Sequence, residues 1–300
     1  MAETGAARVV DVCARAKINL CLHVLGRRSD GYHTLESVVT FTELGDRLTA
    51  RRASGISLAV SGPFAAAVRV DETNLAFKAA RLLAARAAPG RGAALVLEKN
   101  LPVAAGIGGG SADAAATFRA LIELWDLDVA PADLQALALD LGADVPVCLA
   151  GGTVLVGGIG ERVVPLPALP GLPIVLVNPG VPLATATVFR TLAGRFGHSR
   201  KALASVRTTS ELLDLLRGCA NDLAAPACVL VPAIGAGLEF LGARPGVRLA
   251  RMSGSGATCF ALFDDAAAAH AAARDAKRRH PDWWAVATRI ATAAGARSAC

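Results

Sequence analysis

Apolar stretches broken by Gly-rich or charged turns fill the first sixty residues of the chain, a pattern typical of short consecutive strands. It predicts four strands, at Arg8 to Ala14, Lys17 to Leu25, Leu35 to Thr42 and Asp46 to Ala53. A helical period follows, because Leu75, Ala79, Leu82 and Leu83 fall on one face of a helix from Asn74 to Ala88.

The middle of the chain contains both strand-like and helix-like patterns of apolar residues. The elements predicted there are a strand at Ala93 to Leu97, helices at Ser111 to Leu124 and Pro131 to Gly142, and a strand at Val147 to Val156. Pro165 to Pro170 has the composition of a linker, and the following elements are a strand at Ile174 to Val177, a polar loop at Gly194 to Thr209, helices within Glu211 to Leu241, and strands at Arg248 to Met252 and Thr258 to Phe263. An Ala-rich helix and a strand at Trp284 to Ile290 come last.

This order of elements contains no internal repeat and no long alternation of parallel strands and helices. It therefore predicts an α+β protein with two lobes. We expect one domain over residues 1–164, a second over residues 165–290, and a disordered tail of small and polar residues at 291–300.

Hydrophobic residues make up 53% of the chain, but no apolar run is long enough to cross a bilayer. The longest candidate, Leu223 to Leu238, is interrupted by Pro226 and Pro232. The start of the chain carries Glu3 and no apolar signal segment. A soluble, cytoplasmic protein without membrane contact is expected.

The seven cysteines and five histidines show no metal-ligand spacing, so reduced thiols and no bound structural metal are expected. The net charge of +6 raises the possibility of a nucleic-acid partner. Positive charge is dispersed, however, and the dense run Lys277 to Arg279 ends a helical stretch, where cations favour the helix dipole. No nucleic-acid partner is expected, and a small phosphate-bearing substrate explains the basic balance equally well.

The segment Pro102 to Asp113 is the strongest local signal, since it places four glycines in five residues directly before a helix. Such a loop exposes backbone N–H groups at a helix N-terminus, with Ser111 as the expected N-cap, and forms an anion site. A flexible linker is the alternative. The loop lacks the Gly-Lys-Ser/Thr ending of a Walker motif, and no early βαβ unit surrounds it as a dinucleotide fingerprint requires.

Four further segments have both a functional and an ordinary explanation. Lys17 and Asn19 share one face of a strand, although a lysine beside a buried strand is usually a snorkelling edge residue. Asp144 lies between a helix end and a strand, and could be a simple turn residue. The turns Asp30 to His33 and Ser253 to Gly256 could be hairpins, or could bind a substrate.

Taken in order, these segments resemble the GHMP kinase superfamily. The resemblance rests on Ala16-Lys17-Ile18-Asn19, Asp30-Gly31-Tyr32-His33, the Gly106 to Ser111 loop, Gly142-Ala143-Asp144-Val145-Pro146 and Ser253-Gly254-Ser255-Gly256, and runs from about residue 13 to residue 264. It implies an N-terminal lobe that holds ATP and a ferredoxin-like C-terminal lobe that closes over the substrate.

The resemblance also implies residue roles. Lys17 and Asp144 match the catalytic pair. The positions implied to bind ATP are Lys99, Pro102, Val103, Ala104, Ala105, Gly106, Ile107, Gly108, Gly109, Gly110, Ser111 and Ala112. The positions implied to bind the substrate are Asn19, Tyr32, His33, Thr185, Phe189, Gly254 and Ser255.

Within the superfamily, Asp30-Gly31-Tyr32-His33 is typical of the branch that phosphorylates the 2-hydroxyl of 4-diphosphocytidyl-2-C-methyl-D-erythritol in non-mevalonate isoprenoid synthesis. ATP and Mg²⁺ are the implied cofactors, and no protein ligand of the metal is assigned. Ile107 replaces a usual leucine, and Ala112 replaces a frequent second serine, which leaves the role of the Ser111 hydroxyl in metal binding open.

Two alternatives stay open at the level of sequence. One is a sister kinase for another small alcohol, such as mevalonate or homoserine, although Tyr32 and His33 argue against it because those substrates offer no base to stack. The other is a nucleotide sensor without activity, which has no need for Lys17 and Asp144. A monomer or weak homodimer is expected.

Overall fold

The computed structural model of the protein describes residues 8–169, 171–192, 194, 196–199, 203 and 205–292. The described strands form two sheets. The first contains β1 (Val9–Arg27), β2 (His33–Ala53), β3 (Ile56–Ser61), β4 (Gly92–Glu98), β5 (Val154–Gly158) and β6 (Arg162–Pro165). Its order is β3-β4-β2-β5-β6, with β1 paired to β2 and with β3 and β4 parallel.

The second sheet is antiparallel and belongs to the later part of the chain. It contains β7 (Pro173–Asn178), β8 (Val247–Met252), β9 (Cys259–Phe263) and β10 (Trp284–Arg289), in the order β10-β7-β9-β8. The α+β class is confirmed. We keep residues 1–164 and 165–290 as a proposed division into domains.

Nine α-helices are described: α1 (Leu75–Ala87), α2 (Gly109–Trp125), α3 (Pro131–Leu141), α4 (Asp144–Ala150), α5 (Thr185–Thr191), α6 (Thr209–Arg217), α7 (Ala224–Leu230), α8 (Pro232–Gly242) and α9 (Ala266–Arg279). None of them is long and apolar enough to span a bilayer. Helix α2 is buried on almost every side, with Phe118 and Trp125 among the largest inaccessible side chains. Its alanines leave room for the sheet and α1 to pack closely against it.

The two sheets share a core. One hydrophobic cluster contains Ile18 and Leu20 from β1, Ile174 from β7, and Phe260 and Leu262 from β9. Separate clusters fill the space between the first sheet and α2, and between the second sheet and α8 and α9. Because apolar side chains of both sheets are buried against one another, β1 is held firmly between the two halves of the molecule.

The four strands expected near the start are two long ones. Strands β1 and β2 pair along their whole length, and the pairing shifts register between Arg15 and Lys17 and between Asn19 and Cys21. Bulges of this kind bend a strand and redirect its side chains without ending it. The gap expected at residues 15–16 is therefore a bulge in β1 directly before Lys17, the gap at 26–34 contains the turn between the two strands, and the gap at 43–45 lies within β2.

The strand expected at Val147 to Val156 is wrong in its first half. Residues Asp144–Ala150 form α4, and β5 begins only at Val154. Short apolar runs do not distinguish a buried helix from a strand by period, and here the glycines at 151 and 152, with φ of 62° and 66°, end the helix. Asp144 is thus the first residue of a helix and not a turn residue.

Several other elements, and the state of one cysteine, differ from the sequence expectations. The sequence patterns missed α5, β3 and β6, and the linker expected at Pro165 to Pro170 overlaps β6 only at Pro165. Part of the expected loop at Gly194 to Thr209, and the expected tail beyond Thr292, lie outside the described residues. Five cysteines have free thiols, namely Cys21, Cys148, Cys219, Cys228 and Cys259, whereas Cys13 is disulfide-bonded, contrary to expectation.

Candidate active site

An ion pair joins two residues that are far apart in the chain. The bulge in β1 turns Lys17 toward α4, and its Nζ donates to Asp144 Oδ1 at 2.8 Å. The Lys17 side chain is only 7% exposed, whereas that of Asp144 is 51% exposed. Asp144 lies in the first turn of α4, where the helix dipole favours a carboxylate. The pair thus presents a fixed ammonium group inside the protein and a carboxylate at its surface.

The pair opens into a cleft of about 450 Å³ that lies between the two sheets. Of the candidate site residues, those lining it are Lys17, Asn19, Ala104, Ala105, Gly106, Gly108, Gly109, Gly110, Ser111, Asp144, Thr185, Phe189, Gly254 and Ser255. The structure therefore brings together most of the positions that the sequence analysis selected, from both halves of the chain.

The glycine loop ends at the N-terminus of α2. Gly108 is the N-cap, in the left-handed conformation with φ of 64°, and no side chain caps this end. The expectation that Ser111 is the N-cap is therefore wrong, because the helix begins two residues earlier, at Gly109. Uncapped N–H groups and the helix dipole leave an anion site that faces the cleft.

Gly108 also makes room for the side chain of Lys17. A Cβ at this position would lie 3.0 Å from both Cβ and Cε of Lys17. The backbone N–H of Lys17 donates to the carbonyl of Ile107 at 2.9 Å, so loop and strand are joined directly. Ile107 itself is buried and supports the loop from below.

The two glycine turns touch each other. A Cβ on Gly106, whose φ is 74°, would lie 2.4 Å from the carbonyl oxygen of Gly256 and 2.7 Å from that of Ser253. The Ser253 hydroxyl donates to the Gly106 carbonyl at 3.0 Å and accepts from the N–H of Asn19 at 3.1 Å. Ser253 thereby ties the second turn to both the loop and β1.

A second cavity, of about 240 Å³, lies on the other side of the glycine loop. It is lined by Lys99, Pro102 and Val103, and by residues around Asn74 at the start of α1. Ala104, Gly109 and Gly110 line both cavities. Of the remaining candidate loop residues, Ala112 is buried in the core and lines neither of these two cavities.

Lys99 is part of a buried charge network that the sequence analysis missed. Its Nζ donates to Asp113 Oδ2 at 2.7 Å and also to Asp46. Burial raises the pKa of the Asp113 carboxyl to about 7 against the opposing effect of Lys99, and Asp46 adds to the increase. Lys99 Nζ lies 3.2 Å from where a Gly109 Cβ would be, so this network supports the first turn of α2 from beneath.

A sequence signal for this network does exist. Asp46 interrupts a strand pattern, and Asp113 falls on the apolar, alanine-rich face of a helix. Carboxylates at such buried positions need cationic partners.

Aromatic residues flank the outer end of the cleft. The rings of His33 and Phe189 stack with centroids 4.8 Å apart. Tyr32 is 61% exposed and does not line the cleft, while its backbone N–H donates to Asp30 Oδ1 at 3.1 Å within the turn. Phe189, an implied substrate position from the other half of the chain, thus packs on His33, which is also an implied substrate position. Burial lowers the pKa of His33, and Arg27 lowers it further, so the ring is neutral near pH 7.

Polar side chains complete the cleft wall. Thr185 Oγ1 and Ser255 Oγ are 2.8 Å apart, so the two candidate residues from different segments form one hydrogen bond. Asn19 Nδ2 donates to Ser37 Oγ at 2.8 Å, while Asn19 Oδ1 has no hydrogen-bond partner among the described residues. An acceptor of this kind beside Gly254 is suited to a substrate donor.

Comparison with known proteins gives this arrangement a family. Residues 74–152 match the GHMP kinases N terminal domain, and residues 199–282 match the GHMP kinases C terminal domain. The 4-diphosphocytidyl-2-C-methyl-D-erythritol kinase of Rhodopseudomonas palustris (strain BisB18) is 51% identical over 281 residues, covering 90% of this chain and 92% of that protein. The chain belongs to the GHMP kinase family.

Further relatives agree with this assignment. The protein of the same name from Rhodospirillum rubrum is 47% identical over 285 residues, covering 95% of this chain and 94% of its own length. A crystal structure of a 4-(cytidine 5'-diphospho)-2C-methyl-D-erythritol kinase matches with a TM-score of 0.75 and 36% identity, over 94% of this chain and all of that one. Homoserine kinase from Cytophaga hutchinsonii, at 20% identity and a TM-score of 0.73 over 97% of each chain, shares the GHMP kinase fold.

The geometry at Gly108 generates a prediction. Replacing Gly108 with Val places a β-branched residue in the left-handed region and pushes on Lys17, so we expect the protein to lose about 1–2 kcal/mol of unfolding free energy. ATP affinity, measured by calorimetry, should fall at least tenfold because the anion site is obstructed.

Gly242→Ala is the control, since Gly242 has no positive φ, a Cβ there would have nothing within 4 Å, and the residue lines neither cavity. It should retain stability and bind ATP within a few-fold of the parent chain. Unchanged ATP affinity in Gly108→Val would contradict the placement of the phosphates at this loop.

Proposed function

We propose that this chain transfers the γ-phosphoryl group of ATP to the 2-hydroxyl of 4-diphosphocytidyl-2-C-methyl-D-erythritol, in the non-mevalonate route to isoprenoid precursors. One observation carries the chemistry: the Lys17–Asp144 pair lies in the same cleft as the N-terminus of α2. The choice of substrate is supported by two relatives that carry the name of this kinase, which are 51% and 50% identical to this chain and cover 90% of it.

ATP is proposed to lie across the glycine loop. The cavity at Pro102 and Val103 would hold the base, and the N–H groups of Gly108 to Ser111 would hold the β- and γ-phosphates. Lys99 contributes as a wall of that cavity and as the support of the loop, because its ammonium group is engaged by Asp46 and Asp113.

Mg²⁺ is proposed to bind with ATP. The cleft offers an oxygen donor of the kind that this ion prefers, the Ser111 hydroxyl. Few protein ligands are needed, because Mg²⁺ in such sites is held largely by phosphates and water. When bound, the ion neutralises charge on the transferring phosphoryl group.

The residues around the attacking hydroxyl perform proton transfer and charge stabilisation. Asp144, half exposed in the cleft, accepts the proton of the hydroxyl as it attacks. Lys17 holds the carboxylate in place through the 2.8 Å hydrogen bond and stabilises negative charge at the reacting oxygens. Positioning by the loop and the two side chains supplies most of what phosphoryl transfer requires.

The cytidyl group is proposed to bind at the aromatic end of the cleft. Phe189 lines the cleft, and Tyr32 stands exposed on a turn whose backbone is fixed by Asp30. His33 and Phe189 are already in contact, and a base between two rings needs about 7 Å, twice the contact distance of about 3.5 Å. The base therefore displaces His33 from Phe189, after which Tyr32 can cover its other face and neutral His33 can bond to its edge.

The hydroxyls and amide deeper in the cleft are proposed to hold the erythritol moiety. Asn19, Thr185, Gly254 and Ser255 line the same cleft as Phe189 and Lys17. A cytoplasmic location and a monomeric or weakly dimeric state stay predictions.

The two alternatives predict different products. A sister kinase would phosphorylate mevalonate or homoserine, and a sensor would release no ADP at all. ADP release should be measured with the cytidyl ester, its uridine analogue, mevalonate and homoserine at equal concentrations. We expect rapid release with the cytidyl ester alone; comparable release with either of the last two would favour a sister kinase.

The ion pair gives a prediction on rate. Asp144→Asn should lower kcat by about 10² to 10⁴ and leave KM for ATP nearly unchanged, the range for loss of a positioned base. Lys17→Ala should produce a loss of similar order. Glu239→Gln, which removes an exposed carboxylate outside the cleft lining, is the control and should retain the parent rate. An Asp144→Asn enzyme with near-parent kcat would remove the base assignment.

The aromatic end gives a prediction on substrate affinity. Tyr32→Ala and Phe189→Ala should each raise KM for the cytidyl ester about tenfold to a hundredfold, since stacking contributes about 1–3 kcal/mol per base. KM for ATP should not change. Phe196→Ala is the control and should leave KM for the cytidyl ester unchanged. The ring centroids of Phe196 and His33 are 6.2 Å apart, and Phe196 does not line the cleft.

The uridine analogue should be a poor substrate of the parent enzyme, because cytosine selectivity then depends on hydrogen bonds at the ring edge. If it turned over as fast as the cytidine compound and both aromatic variants behaved like the parent, the cytidyl pocket would lie elsewhere.

A further inference from the structure

Two cysteines and a histidine converge outside the cleft. Cys21 and His23 come from β1, and Cys219 follows α6 almost two hundred residues later. The sulfur and nitrogen atoms that they offer all lie within 4.8 Å of one another, and all three residues are buried. The three side chains have no part in the proposed phosphoryl transfer.

The histidine is oriented like a ligand. His23 Nδ1 faces Asp222 Oδ1 at 3.4 Å, and Asp222 Oδ2 also accepts from the N–H of Val24 at 2.8 Å. His23 Nε2 is buried and has no hydrogen-bond partner among the described residues. A carboxylate on one imidazole nitrogen and an unsatisfied second nitrogen form the arrangement in which metal-binding histidines are usually held.

The backbone of both cysteines is fixed. Ser37 Oγ donates to the Cys21 carbonyl at 2.6 Å, and the Arg251 guanidinium donates to the carbonyls of Cys219 and of Leu20. The Cys219 thiol donates to the Leu215 carbonyl at 3.3 Å. The ligand atoms are therefore preorganised, and the positive charge of Arg251 stands next to the position where thiolates would form.

We propose that Cys21, His23 and Cys219 bind a thiophilic divalent cation of the Zn²⁺ class. Two sulfurs and one imidazole are ligands that Zn²⁺ prefers and Mg²⁺ does not, so this site is chemically distinct from the one for the nucleotide metal. Three protein ligands leave a fourth position for solvent. The sequence analysis expected no structural metal; the third ligand is remote in sequence from the pair on β1, so no spacing rule links the three residues.

A cation bound at this site would hold β1 and residues 219–222 together beside the cleft. The N–H of Leu22 donates to the Ala220 carbonyl at 3.0 Å, and the N–H of Asp222 donates to the Leu22 carbonyl at 2.9 Å. Asn221, between these contacts, donates to the carbonyls of Met252 and Gly254 at 2.8 Å each. A metal that joins β1 to residues 219–222 thus stiffens the segment that holds the second glycine turn.

Zinc binding to the metal-stripped full-length chain, kept reduced with a phosphine, tests the proposal. Competition with a chromophoric chelator should give one site per chain, and Co²⁺ in place of Zn²⁺ should give a thiolate charge-transfer band and tetrahedral visible bands. Saturation with Zn²⁺ at a hundred times Kd should raise Tm by about 5 °C, from the stabilisation that ligand linkage gives.

Variants separate this site from adventitious binding. Cys21→Ser and Cys219→Ser should each weaken Zn²⁺ binding at least about a hundredfold, and Asp222→Asn about tenfold to a hundredfold through the loss of histidine orientation. Cys228→Ser, which alters a free thiol outside the cluster, should bind like the parent.

Unchanged affinity in Cys219→Ser, or a Co²⁺ spectrum without thiolate bands, would overturn the proposal. Should Cys21→Ser fail to fold, the Cys219 variant and the parent Co²⁺ spectrum decide the matter by themselves.

Discussion

The contact between two glycine turns is the constraint on which the rest of this site depends. Gly106 and the Ser253 to Gly256 turn approach so closely that a single Cβ at Gly106 would overlap a carbonyl group at 2.4 Å. Ser253 then bonds to both the loop and β1. Because one turn belongs to each half of the chain, this contact holds the N-terminus of α2 and the candidate substrate residues in one cleft.

Charge is distributed unequally around the cleft. Lys99 is buried and pairs with two buried carboxylates, those of Asp46 and Asp113. Lys17 is also buried, but its partner, the Asp144 carboxylate, is half exposed. The first group is suited to supporting the glycine loop, because all its members are enclosed. The second presents a carboxylate that a substrate can reach. Similar residue types therefore serve structure in one place and, in our proposal, chemistry in the other.

The sequence predicted the residues of the candidate site better than it predicted the bounds of the strands and helices. The order of short motifs selected Lys17, Asp144 and the glycine loop, since such motifs depend on local backbone chemistry. It missed the continuity of β1, because a bulge and a strand break leave the same trace in sequence. It also missed Asp46 and the Cys21–His23–Cys219 cluster, whose partners meet only through tertiary packing. The stacking of His33 on Phe189 has the same origin and was not predicted.

The position of the new phosphate on the product tests the central claim most directly. The purified enzyme should be incubated with ATP and 4-diphosphocytidyl-2-C-methyl-D-erythritol, and the product followed by ³¹P and ¹H NMR. The account predicts one new phosphomonoester resonance, without coupling to a carbinol proton because the 2-carbon carries none, and one ADP for each product formed. A phosphate on a different hydroxyl, or ADP formed without a phosphomonoester, would contradict it.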